Sequence, residues 1–402
     1  MIRAYAGLKI RVRLALTVVC TSAALVAADD FRVTLLDGSI VEGRLAEVAP
    51  RIKLATAAGT IDLGWADILS ITPPTAADPA EPPRKYAPWR FTLADGSLFH
   101  GSVVGATEDD FIVEFGDRQT CRLSLDALRS IVSTKSVGPA RAKIAEIVRD
   151  SERKLDYAVI ATKERASVLR GAVRRITEQH VIVERGRRIV RIPWPRLAGV
   201  FFAASSPRSP STRVFMTTGE VFAGRVRSGT AEAIMLQSGV FDNLRLPWNR
   251  IERIECLSDR LRFLSDLRPQ AYEFEPFFEK HWNYAVDKSL SGRPIELGGR
   301  AYPRGICMHS QATLTYRIGG QYRQFAFVAG ILDEMEDRGN VTMRVLGDGG
   351  LLWQRENVRG GAQPEQVVIA VTGVYELTLA VDFGRDLDLS DHACWAFARL
   401  IR

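Results

Sequence analysis

The sequence predicts an all-β protein in which a row of small repeated barrels precedes a larger β-sandwich. Two patterns support this prediction. A template of about 40 residues recurs four times in the first two thirds of the chain, and period-two alternation of apolar residues between glycines marks the last third. The length of 402 residues calls for several cores, and the 46% hydrophobic and 25% charged residues are typical of folded, soluble chains.

Residues 1–28 are typical of a signal peptide. A basic segment ends at Arg13, an apolar run extends from Leu14 to Ala27, and small residues precede Asp29, where we expect cleavage. The alternative is an uncleaved membrane anchor, but the apolar run is shorter than the ~20 residues that a span requires. We therefore expect an exported protein, periplasmic or extracellular, with no membrane span after cleavage.

The charge balance argues against a nucleic-acid partner. The formal net charge is +7, but the first 28 residues contribute four basic and no acidic side chains, which leaves +3 for the rest. So small an excess gives no reason to expect a phosphate-binding surface. The cysteines beyond the signal are too few for a disulfide scaffold and lack the C-x-x-C spacing of a zinc site.

The four repeats share a hairpin turn, a second glycine and a closing turn, in that order. The segments are Phe31 to Ile71, Phe91 to Ile131, Tyr157 to Val200 and Val214 to Ile254. The hairpin turns that end in glycine are Asp37-Gly38, Asp95-Gly96 and Thr218-Gly219. The second glycines are Gly43, Gly101, Gly171 and Gly224. Apolar residues then recur in steps of three, which predicts one helical turn before a last strand; these turns begin at Trp65, Leu125, Trp194 and Trp248.

A unit of this length with four or five short strands resembles the SH3-like or Sm-like small barrel. We place the four barrels at 29–73, 89–133, 157–204 and 211–256, with a helical linker at 134–156. A β-propeller is the alternative, but the second glycines lie 58, 70 and 53 residues apart, which is uneven for blades. Tryptophan recurs at one position of the template, which favours packing over ligand contact. We expect the repeats to act as spacers or partner-binding modules.

A different pattern begins near Cys256. Val341, Met343 and Val345 alternate with polar residues, which predicts antiparallel strands and hence a sandwich over 257–402. Five motifs follow in order: Pro294 to Ile306, Met308 to Tyr316, Phe325 to Ile331, Val341 to Gly349 and Asp391 to Leu400. Together they resemble the NPCBM family of carbohydrate-binding modules, also grouped as carbohydrate-binding module family 51, from Leu264 to Arg402. The resemblance implies a galactose-binding-like jelly roll that holds a glycan in loops at one end.

Several residues in or beside these loops are candidates for sugar contact, because rings stack on the C–H face of a sugar and carboxylates accept hydrogen bonds from vicinal hydroxyls. The candidates are His309, Trp353, Asp391, His392 and Trp395, with Trp282 and Tyr284 ahead of the first strong strand. The alternative for the Asp391 motif is that it locks the last strand. Two departures from the family pattern, Cys307 in place of glycine and Ala312 in place of serine, put the local loop geometry in doubt.

Two further features follow from the motifs. Cys307 and Cys394 occur in the two motifs that we expect to approach each other, and we predict a disulfide between them; the alternative is isolated buried thiols. Asp382, Asp386 and Asp388 form an acidic loop, and related sandwiches often carry a structural calcium; solvated acids are the alternative. No other cofactor is expected.

The first functional hypothesis is an exported, non-catalytic protein whose C-terminal module binds a glycan or polysaccharide. The second is an exported scaffold whose module contacts other envelope or extracellular proteins and binds no sugar. The third is an active accessory of a glycoside hydrolase system. We expect no enzyme activity, since the chain carries no G-x-S-x-G, H-E-x-x-H, P-loop or G-x-G-x-x-G motif.

Overall fold

The computed structural model describes residues 30–74, 87–136, 138–149, 154–162, 164–203, 211–277, 281–385 and 387–402. The predicted signal peptide and Asp386 lie outside the described residues. Nearly all the long regular elements of the described chain are strands, which confirms the all-β class. No helix within these ranges combines the length and hydropathy that crossing a membrane requires.

Each repeat is a five-stranded meander. The first contains β1 (Phe31–Leu35), β2 (Ile40–Glu47), β3 (Ile52–Thr56), β4 (Gly59–Leu63) and β5 (Ile68–Thr72). The second contains β6 (Trp89–Leu93), β7 (Leu98–Ala106), β8 (Asp110–Phe115), β9 (Gln119–Ser124) and β10 (Leu128–Ser133), and helix α1 (Pro139–Arg149) follows it. The third contains β11 (Asp156–Ala161), β12 (Ala166–Ile176), β13 (His180–Arg185), β14 (Arg188–Pro193) and β15 (Leu197–Phe201). The fourth contains β16 (Thr212–Met216), β17 (Val221–Gly229), β18 (Ala233–Gln237), β19 (Leu244–Pro247) and β20 (Ile251–Cys256).

The repeats differ from closed cylinders in one respect. In every repeat the first strand pairs with both the second and the fifth, and the second, third and fourth follow in order. Within the described residues no ladder joins the fourth strand to the fifth. A three-residue 3₁₀ turn separates these two strands, and it directs the fifth strand toward another repeat. The barrels are therefore open along one seam.

The fifth strands join the repeats in pairs. β5 pairs with β20 through Ile71 and Ile254, and β10 pairs with β15 through Ile131 and Val200. β7 of the second repeat also contacts β17 of the fourth, and this contact links the two pairs. The repeats therefore neighbour each other in the order first, fourth, second, third, which differs from the sequential order of propeller blades.

The closing-turn tryptophans belong to this packing. The ring of Trp248 lies 4.9 Å from that of Phe31 in the first repeat, and Trp194 lies 4.7 Å from Trp89 in the second. Each indole N–H also donates to a backbone carbonyl of its own repeat, at 3.0 Å to Thr230 for Trp248. The ring and the N–H of each of these tryptophans therefore contact the protein itself, which agrees with the packing role that the recurrence of tryptophan suggests.

The sandwich contains thirteen short strands. In chain order they are β21 (Leu261–Phe263), β22 (Ala271–Phe274), β23 (Ala285–Val286), β24 (Ile295–Leu297), β25 (Arg300–Tyr302), β26 (Gly305–Met308), β27 (Ala312–Arg317), β28 (Gln324–Ile331), β29 (Asn340–Gly347), β30 (Gly350–Arg359), β31 (Glu365–Ala370), β32 (Glu376–Phe383) and β33 (Ala393–Ile401). One sheet has the order β23-β26-β33-β28-β31 with β21 also on β33, and the facing sheet has the order β22-β27-β32-β29-β30. β24 and β25 form a separate hairpin. The core between the sheets is fully buried and includes Leu314, Phe325, Phe327 and Trp395.

A disulfide joins two central strands of the first sheet. Cys307 and Cys394 lie directly opposite each other on β26 and β33, with their Cα atoms 4.1 Å apart. Cys121 and Cys256 are buried free thiols in the repeats, and burial raises the pKa of each to about 12. Since a thiol with so high a pKa stays protonated at neutral pH, neither is a nucleophile.

The first repeat docks on the sandwich through a buried arginine. Arg399 on β33 is 2% exposed, and its Nε–H donates to the carbonyl of Leu36 at 2.7 Å. A second N–H of the guanidinium donates to the carbonyl of Phe397 at 2.9 Å. Leu36 and Leu69 pack around it against Ala326 and Ile401 of the sandwich. Burial lowers the pKa of Arg399 to about 10, so the group stays charged at neutral pH.

The second glycine of the template is required by the closeness of two strands. A Cβ at Gly224 would lie 2.5 Å from the carbonyl oxygen of Gln237, and one at Gly171 would lie 2.3 Å from that of Glu184. Gly43 and Gly101 meet the neighbouring strand in the same way. Any side chain at this position would push the second and third strands apart.

We therefore expect Gly224→Ala to destabilise the protein. Overpacking of this kind costs about 1–3 kcal/mol, and the midpoint of thermal unfolding should fall by several degrees. The matched control is Gly350→Ala, because the nearest atom to a Cβ there is 3.4 Å away. Equal losses in the two variants, measured by calorimetry, would contradict the close-approach explanation.

Candidate functional site

The loops that carry several of the predicted site residues lie together at one end of the sandwich. His309 directly follows β26, and Asp391 and His392 directly precede β33. Because Met308 pairs with Ala393, the two loops leave neighbouring strands at the same end. β23 pairs with β26, so Trp282, just ahead of β23, reaches this end as well.

Three rings form a cluster that we call the histidine platform: Trp282, His309 and His392. Trp282 stacks on His309 with ring centroids 5.0 Å apart and an angle of 4° between the planes. His392 meets Trp282 edge-on at 5.2 Å and His309 at 5.7 Å. The two histidines are buried, at 3% and 8% exposure, whereas Trp282 is half-buried. One face of the indole thus rests on His309.

The backbone beneath Trp282 is held by the facing sheet. The hydroxyl of Tyr272 on β22 donates to the carbonyl of Trp282 at 2.8 Å, and the Tyr272 ring packs edge-on against Tyr284 at 5.1 Å. Burial raises the pKa of Tyr272 to about 12, which keeps this hydroxyl a donor at every physiological pH. Tyr284 packs against Tyr272 and the core between the sheets, whereas Trp282 packs on the two histidines.

A carboxylate lies beside the platform. Glu334 belongs to the 3₁₀ turn Asp333–Met335 after β28, and its Oε1 lies 3.5 Å from Nδ1 of His392. Its Oε2 accepts a hydrogen bond from the Ser291 hydroxyl at 2.6 Å and lies 2.9 Å from Nε of Arg293. The Arg293 side chain is 67% exposed, so its guanidinium group lies at the solvent edge of the site.

The environment of Glu334 keeps it ionised. Burial alone would raise the pKa of the carboxyl, but hydrogen bonds from its serine and histidine neighbours and the arginine charge outweigh burial. The resulting pKa lies below the usual value of a glutamate. Glu334 is not among the site residues predicted from the sequence, although the acidic pair Asp333-Glu334 begins two residues after Ile331, the end of the Phe325–Ile331 motif.

Asp391 supports the platform from the interior. It is fully buried, and its Oδ1 accepts a hydrogen bond from the backbone N–H of Asn340 at 3.0 Å. This bond ties the first residue of β29 to the residue that precedes His392, and it therefore joins the two sheets at this end. So enclosed a carboxylate fits the alternative in which the motif locks the last strand, and sugar contact by Asp391 stays a prediction.

Two predicted contact residues lie elsewhere. Trp395 is the third residue of β33 and is fully buried in the core, so it offers no surface to a ligand. Trp353 on β30 packs edge-on against Phe327 at 5.1 Å. Trp353 pairs with Val345 on β29. Val345 lies four residues beyond Val341, which is at the platform end of the strand, so at the usual rise per residue Trp353 lies ~13 Å from that end. Neither tryptophan belongs to the candidate site.

The described part of the acidic loop adds no support for metal binding. Asp382 forms an ion pair with Arg344, which occupies its carboxylate, and Asp386 lies outside the described residues. Among the described residues no group of three or more His, Cys, Asp or Glu side chains is close enough to hold a metal ion. Asp382 therefore fits a calcium ligand poorly, and a calcium site that uses Asp386 and Asp388 stays a prediction.

The lowered pKa of Glu334 predicts how stability depends on pH. A carboxyl whose pKa is depressed by folding stabilises the protein above its unfolded pKa, near 4.5, and this contribution is lost as the pH falls through the folded value. Glu334→Gln should therefore be less stable than the unaltered protein by about 1–2 kcal/mol at pH 7. The difference should shrink in urea unfolding at pH 3.5. Glu336→Gln, two residues on and exposed, is the matched control, and an equal loss there would remove the special role of Glu334.

Residues 261–401 match the NPCBM/NEW2 domain, which confirms the predicted C-terminal module. A curated relative is the Renibacterium salmoninarum protein named "Putative endo-alpha-N-acetylgalactosaminidase", 30% identical over 110 residues. That match covers 27% of this chain, and this chain spans only 7% of the length of that relative.

Solved structures of the same module type are similar at low scores. One is the CBM51 domain of a Clostridium perfringens GH95 protein in complex with methyl-galactose, at 23% identity and a TM-score of 0.32, covering 35% of this chain and 99% of that chain. Another is CBM51-2 with GlcNAc and INT domains of Clostridium perfringens ZmpB, at 19% identity and a TM-score of 0.33, covering 55% and 45%.

Proposed function

We propose that the C-terminal NPCBM domain binds a glycan at the histidine platform, as part of an exported protein without catalytic activity. The observation that carries the proposal is the stacking of a half-buried Trp282 on a buried His309, with ring centroids 5.0 Å apart. An indole fixed from beneath is pre-ordered, so little side-chain entropy is lost when a sugar ring stacks on it.

The polar groups at the platform edge suit a sugar. Glu334, whose side chain is 8% exposed, holds Arg293 in place, and the exposed guanidinium of Arg293 supplies charged donors to sugar oxygens. A shallow site with one ring and a few polar groups is typical of weak recognition that orients a pyranose without enclosing it.

The electrostatics favour binding over hydrolysis. A general acid in a glycosidase needs a carboxyl whose pKa is raised toward neutrality. At the platform the carboxyl of Glu334 has its pKa lowered and is occupied by Ser291 and Arg293. Glu334 therefore suits a permanent acceptor and not a proton donor.

A second function, contact with another protein, is favoured by exposed apolar side chains at the same end. Phe277 is 47% exposed beside Phe383, and Leu387 and Leu389 in the following loop are 49% and 64% exposed. An exposed apolar patch that is bordered by polar groups is typical of an interaction surface. The scaffold hypothesis would place its partner here.

The test is a glycan array probed with the full chain and with Trp282→Ala. We expect a retained neutral glycan, and about tenfold weaker binding by the variant, since loss of a stacked ring costs about 1.4 kcal/mol. Tyr375→Ala is the matched control, because Tyr375 is an aromatic of the same domain with 62% exposure and lies away from the platform. The control should bind within twofold of the unaltered protein.

Two outcomes would contradict the proposal. If no glycan is retained above background, with calcium present, the scaffold function is favoured. If Tyr375→Ala weakens binding as much as Trp282→Ala does, the platform is not the site.

A further inference from the structure

A large cleft separates the repeats from the sandwich. It has a volume of about 2060 Å³ and is bounded by the first, second and fourth repeats on one side and by the sandwich around β25 on the other. A site for one small ligand is typically about 300–1,000 Å³. The cleft is therefore large enough for several linked units of a polymer.

The wall of the cleft is rich in arginine. Ten arginines and five acidic residues line it. Three of the arginines form ion pairs: Arg51 with Asp62, Arg253 with Glu252 and Glu255, and Arg304 with Asp266 and Asp287. A fourth, Arg402, donates to the side-chain carbonyl of Gln321.

The other six arginines form no ion pair with any residue that the structure describes. They are Arg129, Arg213, Arg225, Arg227, Arg262 and Arg300. Among the acids of the wall, Asp67 is paired with Arg260 while Glu255 and Asp266 are paired with wall arginines, which leaves Asp95 and Asp259. The fold thus concentrates uncompensated positive charge in one concave surface.

Arg213 is the one of these six arginines that packs closest to a repeat turn, and it lines the cleft from the fourth repeat. Its Nε is buried and has no hydrogen-bond partner among the described residues, and its guanidinium lies beside the Gly96 turn of the second repeat. Leaving a buried charged donor without an acceptor is costly. The other N–H groups of this guanidinium, on the wall of the cleft, can donate charge-assisted hydrogen bonds to an anionic oxygen.

We propose that this cleft binds an anionic polysaccharide, with its sulfate or carboxylate groups on the six arginines. Guanidinium groups match such oxyanions with two parallel hydrogen bonds. The cleft also shares a wall with a carbohydrate-binding domain. The site is distinct from the histidine platform and adds a charged glycan to the neutral one proposed there.

The aromatic residues of the cleft argue against single-stranded nucleic acid as the ligand. Nucleic-acid channels without sequence preference present bare rings on which bases stack. Here Arg300 covers Tyr302 at 5.2 Å, Arg304 covers Phe263 at 5.2 Å, and Arg402 covers Tyr322 at 5.6 Å. These three rings hold arginines in place and do not serve as stacking platforms.

The test uses fluorescence anisotropy of labelled dextran sulfate, with uncharged dextran as the neutral probe. The double variant Arg225→Ala/Arg227→Ala removes two exposed arginines of β17 that flank Val226 and line the cleft. The matched control, Arg185→Ala/Arg187→Ala, removes two exposed arginines from the β13–β14 hairpin of the third repeat, outside the cleft. The cleft variant should bind dextran sulfate at least tenfold more weakly, the control within twofold, and neither should bind dextran.

Binding of dextran sulfate by the unaltered protein should also weaken steeply as the salt concentration rises from 50 to 200 mM, because salt screens the attraction between the arginines and the anionic groups. Equal affinity of the cleft and control variants would overturn the proposal, because binding would then reflect total charge. Binding of single-stranded DNA or polyglutamate as tight as that of dextran sulfate would overturn the assignment to a polysaccharide. Trp282→Ala should retain dextran sulfate binding, and a loss there would place the anionic glycan at the platform instead.

Discussion

The hydrogen bond from buried Arg399 to the carbonyl of Leu36 fixes the repeats to the sandwich, and the cleft depends on it. The bond joins residues 363 positions apart in the sequence and is enclosed by apolar side chains of both parts. A buried guanidinium without its acceptors would be strongly destabilising, so docking and satisfaction of Arg399 are coupled. Because β33 also carries the disulfide and follows the His392 loop, one strand organises the cleft wall, the core and the platform.

The hairpin turns of the template act as docking elements in two places. Gly38 lies against Arg399 of the sandwich, and Gly96 lies against Arg213 of the fourth repeat. At the first turn the arginine is satisfied by a backbone carbonyl, and the contact is closed. At the second turn the Nε of Arg213 is buried and has no acceptor among the described residues, while the residue as a whole lines the cleft. The same local motif therefore supports a structural joint in one place and a candidate binding wall in the other.

Local chemistry made the repeats and the module predictable, whereas long-range pairing decided the rest. Turn glycines and the second glycine act within one hairpin, so they are visible in a short stretch of sequence. The pairing of β5 with β20 joins strands of distant repeats, and no short pattern encodes it. Trp395 was placed at the site because its motif begins in a loop, but β33 starts at Ala393 and takes its ring into the core. Trp282 reaches His309 only through the ladder of β23 with β26.

Net charge was the least informative of the sequence-based arguments, for a physical reason. The net charge of +3 beyond the predicted signal peptide is a sum over the whole surface. Salt screening limits the reach of each charge to about 8–10 Å, so a ligand responds only to the charged groups around it. Paired charges cancel at that range, and the pairing is set by the fold: Arg304 is neutralised by Asp266 and Asp287, while Arg225 and Arg227 on β17 have no acidic partner among the described residues. A nearly neutral chain can therefore present a strongly cationic cleft.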